Sequence, residues 1–155
     1  MNLERLNINV NGIPSPGFSG EHSLFERLAG LVGSDMPNDY IQFILEVDGG
    51  HPEVGCFRVM GDYNSNNIFD VDCFYSLNNS SVESVENEFS KWVSILGPRN
   101  LPIGRDGGGN QIYLNFVNEL PSVWLYLHDE EGAKLKISNS FTEFLDGLFM
   151  NPDFI

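Results

Sequence analysis

Residues 36–50 read MPNDYIQFILEVDGG, and this stretch predicts one short, buried helix with a defined start and a defined end. Pro37 suits the first helical position, where a missing N–H costs nothing, and Asp39 places negative charge in the first turn. The apolar residues in between form one wide face: Tyr40, Ile41, Ile44, Leu45 and Val47. Gly49 and Gly50 then supply the left-handed backbone that ends many helices. The pattern indicates a structural helix rather than a reactive centre.

Periodicity elsewhere in the chain predicts three further helices and six strands. One helix is expected over 23–32, a second begins at Ser80 and ends before Gly97, and a third begins at Ser140 and ends before Pro152. Each of the three begins with a Ser-x-x-Glu sequence, the spacing of a capping box. The predicted strands are 54–60, 68–77, 101–104, 111–117, 123–128 and 134–137, and the first two form a hairpin around the polar loop 61–67.

This order of elements predicts a single α+β domain, an antiparallel sheet flanked by N-terminal, middle and C-terminal helices. The domain is expected over residues 23–150, and a chain of 155 residues is long enough to bury one complete core. Glycine and proline are dense before residue 21, so residues 1–22 are predicted to form an irregular arm.

Charge is the strongest global signal, because 22 acidic residues against 8 basic ones give a net charge of −14. Between Asp35 and Asp72 the acids include Asp48, Glu53, Asp62 and Asp70, and the only basic residue is Arg58. Such a field repels nucleic acid and anionic lipid and attracts a basic protein. An acidic surface that serves solubility alone is the alternative interpretation.

Several observations predict a cytoplasmic protein. The first residues lack both a basic leader and an apolar core, so no secretory signal is expected. The longest tight apolar run, 123–127, is far shorter than the ~20 residues that span a bilayer. Cys56 and Cys73 lie in strand-like segments and outside any CxxC pattern, so we expect reduced, buried thiols.

No motif of catalysis or ligand binding is complete. The run 106–110, DGGGN, lacks the Lys-Ser/Thr pair of a phosphate loop and leads into a strand. Oxygen side chains over 62–70 resemble a calcium loop, but Asn67 stands where glycine is needed and Cys73 where the bidentate glutamate is needed. The three histidines are isolated, and no Gly-x-Ser-x-Gly occurs. We therefore expect no cofactor, no metal and no catalytic residue; a metal-dependent hydrolase is the weakest alternative.

Six segments, taken in order, resemble the SUKH superfamily, which includes cell-wall-assembly-regulator-like proteins and bacterial immunity proteins. They read FERLAGL (25–31), MPNDY (36–40), FILEVDGG (43–50), PIGRDGGGNQIYLNF (102–116), VWLYLHD (123–129) and SFTEFLDGL (140–148). The family often has Asn where this chain has Asp48. The resemblance covers about residues 24–149, and it implies an antiparallel sheet flanked by helices and no enzymatic activity.

The resemblance also implies a function for most bacterial members, the neutralisation of a toxin domain, and many such toxins are nucleases. A nuclease that grips phosphate tends to be basic, so an acidic partner suits it. We therefore predict a toxin-binding immunity protein; a regulatory interaction module for a host protein is the alternative. The predicted partner-binding residues are Asp48, Glu53, Asp62, Asp70 and Asp72 near the first hairpin, and Glu83, Glu86 and Glu88 on the adjoining helix.

Overall fold

The computed structural model describes residues 1–61 and 67–154. The helices are α1 (Ser23–Val32), α2 (Asn38–Glu46), α3 (Val85–Leu96) and α4 (Phe141–Asp146). The strands are β1 (Ile8–Val10), β2 (Ile13–Pro14), β3 (His51–Pro52), β4 (Cys56–Phe57), β5 (Phe69–Phe74), β6 (Asn100–Asp106), β7 (Gln111–Asn115), β8 (Ser122–Leu127) and β9 (Ala133–Ser138). Short 3₁₀ turns lie at Glu4–Leu6 and Pro152–Phe154.

The main sheet has six antiparallel strands in the order β4-β5-β6-β7-β8-β9. The predicted α+β class is therefore confirmed, as is the hairpin of β4 and β5, in which Cys56 pairs with Asp70. Both hairpin strands are shorter than predicted, and most of the loop between them lies outside the described residues. Strands β6 to β9 form a meander in which each pairs with the next along the chain.

Residues 1–22 contain regular structure that the glycine and proline content conceals. β1 pairs with β2 and with β3, which gives a separate three-stranded sheet. Leu6 is fully buried, and the Arg5 guanidinium donates to the carbonyl oxygens of Leu145 and Leu148 at 2.7 and 2.8 Å. This segment therefore packs on the core, while the predicted domain boundary at residue 23 stays a prediction.

The helix starts show which capping signals hold. α4 follows the prediction, because the Ser140 hydroxyl accepts a hydrogen bond from the Glu143 N–H at 3.1 Å. α1 spans the predicted residues, but His22 precedes it and no side chain caps it. α3 begins later than predicted: Ser84 is the cap, accepting from the Asn87 N–H at 3.1 Å, and the predicted capping box at Ser80 is wrong.

The two faces of the main sheet are covered unequally. On one face the aromatic rings of α2 and α4 form the centre of the core, with Phe141 at 5.2 Å from both Tyr40 and Phe43, centroid to centroid. On the other face α3 lies over β6, and its Trp92 ring reaches Tyr126 of β8 at 5.9 Å. Because α3 lies over β6, strands β8 and β9 lie to one side of this helix and β5 lies to the other side.

Candidate functional site

Asp48 is not a surface residue, which corrects one of the predicted binding positions. Its side chain is 1% exposed. Oδ1 accepts from the Leu77 N–H at 2.5 Å and Oδ2 from the Asn78 N–H at 3.0 Å. Burial raises the pKa of this carboxyl, and the backbone hydrogen bonds oppose that rise. Asp48 therefore anchors the loop between β5 and α3.

Glu88 is also buried and corrects a second predicted position. It is 6% exposed, and its Oε1 lies 3.4 Å from the Lys91 ammonium. The signal was present in the sequence, because Val85, Glu88, Phe89 and Trp92 follow at i, i+3, i+4 and i+7. Glu88 therefore belongs to the inward stripe of α3 and is not displayed to a partner.

Arg105 of β6 joins two of the predicted acids. Its Nε lies 3.1 Å from Asp72 Oδ2, and its Nη1 lies 2.9 Å from Glu83 Oε1. Burial acts to raise the pKa of Glu83, but hydrogen bonds from its own backbone and from Arg105 outweigh it and lower that pKa. The fold therefore holds the Asp72 and Glu83 carboxyl groups together around Arg105, each partly exposed.

Asp70 stands on β5, two residues from Asp72, and its pKa is shifted by partial burial and by neighbouring negative charge. It is exposed, and its pKa is raised by partial burial and by the negative charges of Asp72 and Asp106. No basic side chain pairs with it among residues 1–61 and 67–154. Like charges gathered without a counter-ion destabilise a fold, and such perturbed groups cluster at functional sites.

The segment 50–57 runs antiparallel beside β5, and it brings Glu53 to the same region. The Gly50 N–H donates to the Phe74 carbonyl at 3.0 Å, and the Val71 N–H donates to the Gly55 carbonyl at 2.9 Å. Glu53 lies between these contacts and is exposed. We call Glu53, Asp70, Asp72 and Glu83 the acidic strip.

The two remaining predicted residues are Glu86 and Asp62. Glu86, partly exposed on α3, pairs with Arg27 of α1. Asp62 lies outside the described residues, as does most of the calcium-like loop. Of the eight predicted positions, the structure thus links Asp70, Asp72 and Glu83, places Glu53 in the segment beside β5, and buries Asp48 and Glu88.

A cleft at the adjoining end of the sheet shows acids that sequence reasoning passed over. It has a volume of about 240 Å³, and Asp129 and Glu130 line it together with Asn67, Phe69 and Asn110. The β8–β9 turn, the β6–β7 turn and the start of β5 meet there. Adjacent carboxylates are common in an acidic chain, so only the sheet pairing reveals that Asp129 and Glu130 lie beside the start of β5.

The glycine turn after β6 has a structural explanation. Asp106 is 5% exposed, and its Oδ1 accepts from the N–H groups of Gly108 and Asn110 at 2.9 and 2.8 Å. Gly109 has a φ of 80°, which favours glycine. Asp106 therefore stabilises the turn that contains it, which agrees with the interpretation of this run as a turn between two strands.

The reactive groups of the described chain are dispersed. Cys56 and Cys73 are free and buried, as predicted, and burial raises the pKa of Cys73 to about 12. In the described ranges no three His, Cys, Asp or Glu side chains form a group that could hold a metal ion. Within the same ranges no helix is long and apolar enough to cross a bilayer.

Comparison with known proteins places this arrangement in a family. No curated protein matches the chain. The model of the SMI1 / KNR4 family (SUKH-1) matches residues 24–147, which run from α1 to the end of α4 and include the whole main sheet. The predicted resemblance is thereby confirmed, and the chain belongs to the SMI1 / KNR4 family (SUKH-1).

Proposed function

We propose that this protein is a non-enzymatic, cytoplasmic immunity protein that neutralises a toxin domain by covering a basic surface of it. Family membership supports a role in protein binding. The observation that carries the proposal is Asp70, an exposed carboxylate whose neighbours are also negative and whose pKa is raised. Asp70 itself has no ion pair among the described residues, so a cationic partner would give it one.

The acidic strip is suited to a basic partner because its carboxylates are held in place. Asp72 and Glu83 are fixed by Arg105, Asp70 lies two residues from Asp72 on β5, and exposed Glu53 lies in the segment that runs beside β5. Fixed charges lose little conformational freedom on binding, and a field of one sign accelerates encounter. Net charge of −14 adds a long-range attraction that salt screens.

The first experiment identifies the partner. The tagged protein is used to capture bound proteins from its source organism, and each captured protein is purified and tested for nuclease or other toxic activity. The proposal predicts a basic partner whose activity falls when this protein is added in stoichiometric amount. A captured partner with no toxic activity, or one that stays active in the complex, favours the regulatory-module alternative and contradicts the proposal.

The second experiment tests the surface with variants that keep the fold. Asp70→Lys removes a carboxylate from a like-charged cluster, so we expect folding to be retained. Glu53→Lys changes an exposed residue without a paired base in the described chain. Glu119→Lys, in the β7–β8 loop at the other end of the sheet, is the matched control. Association should slow about tenfold or more in the first two variants and stay near the parent rate in the control.

A further inference from the structure

Positive charge in this chain is scarce, and most of it is engaged. Among the arginines, Arg5 and Arg99 donate to backbone carbonyls, Arg27 and Arg105 pair with carboxylates, and Arg58 stacks over Phe149 at 4.7 Å. Lys91 lies 3.4 Å from Glu88. Within the described part of the chain, Lys134 and Lys136 alone among the basic residues have no ion pair, side-chain hydrogen bond or ring contact.

These two lysines stand on one face of β9, beside aromatic rings. In the β8–β9 register Lys134 is opposite Tyr126 and Lys136 is opposite Trp124. Directly paired residues share a face of the sheet, and Trp92 of α3 contacts Tyr126 on that face. We call Trp92, Trp124, Tyr126, Lys134 and Lys136 the aromatic–lysine face.

Packing of α3 on the sheet accounts for these aromatic residues only in part. Along β8 the alternate residues Val123, Leu125 and Leu127 are buried, whereas Trp124 and Tyr126 are half-buried. Lysines on an outer strand deter pairing with other chains, which explains Lys134 and Lys136 but not the rings beside them. Tryptophan and tyrosine are enriched at binding interfaces, where they contribute much of the affinity.

We infer that the aromatic–lysine face binds an extended acidic segment of a partner protein. Lys134 and Lys136 are two residues apart on a strand, about 7 Å, so carboxylates at i and i+2 of an extended segment match them. An apolar side chain of the segment packs against Trp124. A nucleic-acid strand fits less well, because its denser charge meets the repulsion of a chain with net charge −14.

Neighbouring acids limit where the segment lies. The β8–β9 turn carries exposed Asp129, Glu130 and Glu131, which repel carboxylates at that end of the face. The segment therefore lies toward Trp124 and Lys136, away from the turn. The aromatic–lysine face differs from the acidic strip in position and in charge. The inference therefore goes beyond the proposed function and is tested independently of it.

The chain offers a direct readout, because it contains only two tryptophans. The ¹⁵N-labelled protein gives two indole signals, and we would titrate it with the unlabelled peptide Ser-Gly-Asp-Leu-Asp-Phe-Gly-Ser. The control peptide has Asn in place of both Asp. The Trp124 indole signal should shift with the acidic peptide and not with the control.

Variants assign the effect to the lysines. The double variant Lys134→Gln/Lys136→Gln should weaken peptide binding about tenfold, since two exposed ion pairs are lost. Arg27→Gln, on α1, removes one positive charge elsewhere and should leave binding unchanged. Equal shifts with both peptides, no shift at millimolar peptide, unchanged affinity in the double variant, or a shift seen only with an eight-nucleotide oligouridylate would each overturn the inference.

Discussion

Replacing Asp48 by alanine should destabilise the protein strongly, although sequence reasoning assigned this residue to a binding surface. The substitution removes both acceptors of the Leu77 and Asn78 N–H groups, at 2.5 and 3.0 Å, and leaves these donors unpaired. Each lost bond to a charged acceptor costs about 1.5–3 kcal/mol. Relief of the buried carboxylate, whose pKa is raised, offsets part of this. The expected loss is about 3 kcal/mol of unfolding free energy.

Thermal and urea unfolding measure this loss. For a domain of this size about 3 kcal/mol corresponds to a fall in Tm of about 6–12 °C. Asp48→Asn keeps one acceptor oxygen and should cost about half as much. Glu53→Ala, an exposed control, should stay within about 0.5 kcal/mol of the parent. A Tm for Asp48→Ala within 2 °C of the parent Tm would refute the structural role.

The other predictions concern two tyrosines and the response to pH. Tyr40 Oη is buried without a hydrogen-bond partner in the described residues, so Tyr40→Phe should raise Tm by about 2–4 °C; Tyr75→Phe removes a 2.7 Å bond to Gln111 and should lower it. A lower Tm for both variants would contradict this. Because the pKa of Asp70 is raised in the folded state, the free energy of unfolding rises as pH falls through that pKa. The pKa of Glu83 is lowered in the folded state, so the free energy of unfolding decreases as pH falls from the unfolded-state pKa, near 4.5, through the folded-state pKa. Tm should therefore pass through a maximum at mildly acidic pH, and a steady fall of Tm from pH 7 to pH 4 would contradict it.

Local patterns predicted the elements well where the signal lies within a few residues. α1 and α4 have their predicted starts, and the family segments lie on the main sheet and its helices. Capping boxes proved less reliable, because Ser80 belongs to a loop that Asp48 anchors from 30 residues away. A long-range hydrogen bond of that kind leaves no periodic trace in the sequence.

The candidate site was predictable only as a region of high negative charge. The density of acidic residues along the chain does not show which way a side chain points. For that reason the prediction placed the buried Asp48 and Glu88 on the surface. It also does not show that Arg105 joins Asp72 to Glu83, since that contact depends on the register of β5 with β6 and its irregularity. Sheet pairing decides which carboxylates meet, and pairing was the least local feature of the fold.

The central claim is that the acidic strip binds a basic partner, and the association rate with the captured partner tests it most directly. Stopped-flow mixing at 20 mM to 500 mM salt would compare the parent with Glu53→Lys/Asp70→Lys and with Glu119→Lys. We predict that the strip variant associates about tenfold or more slowly at low salt and shows a flatter salt dependence, while the control keeps most of the parent rate. Equal rates and equal salt slopes for the strip variant and the parent would contradict the account.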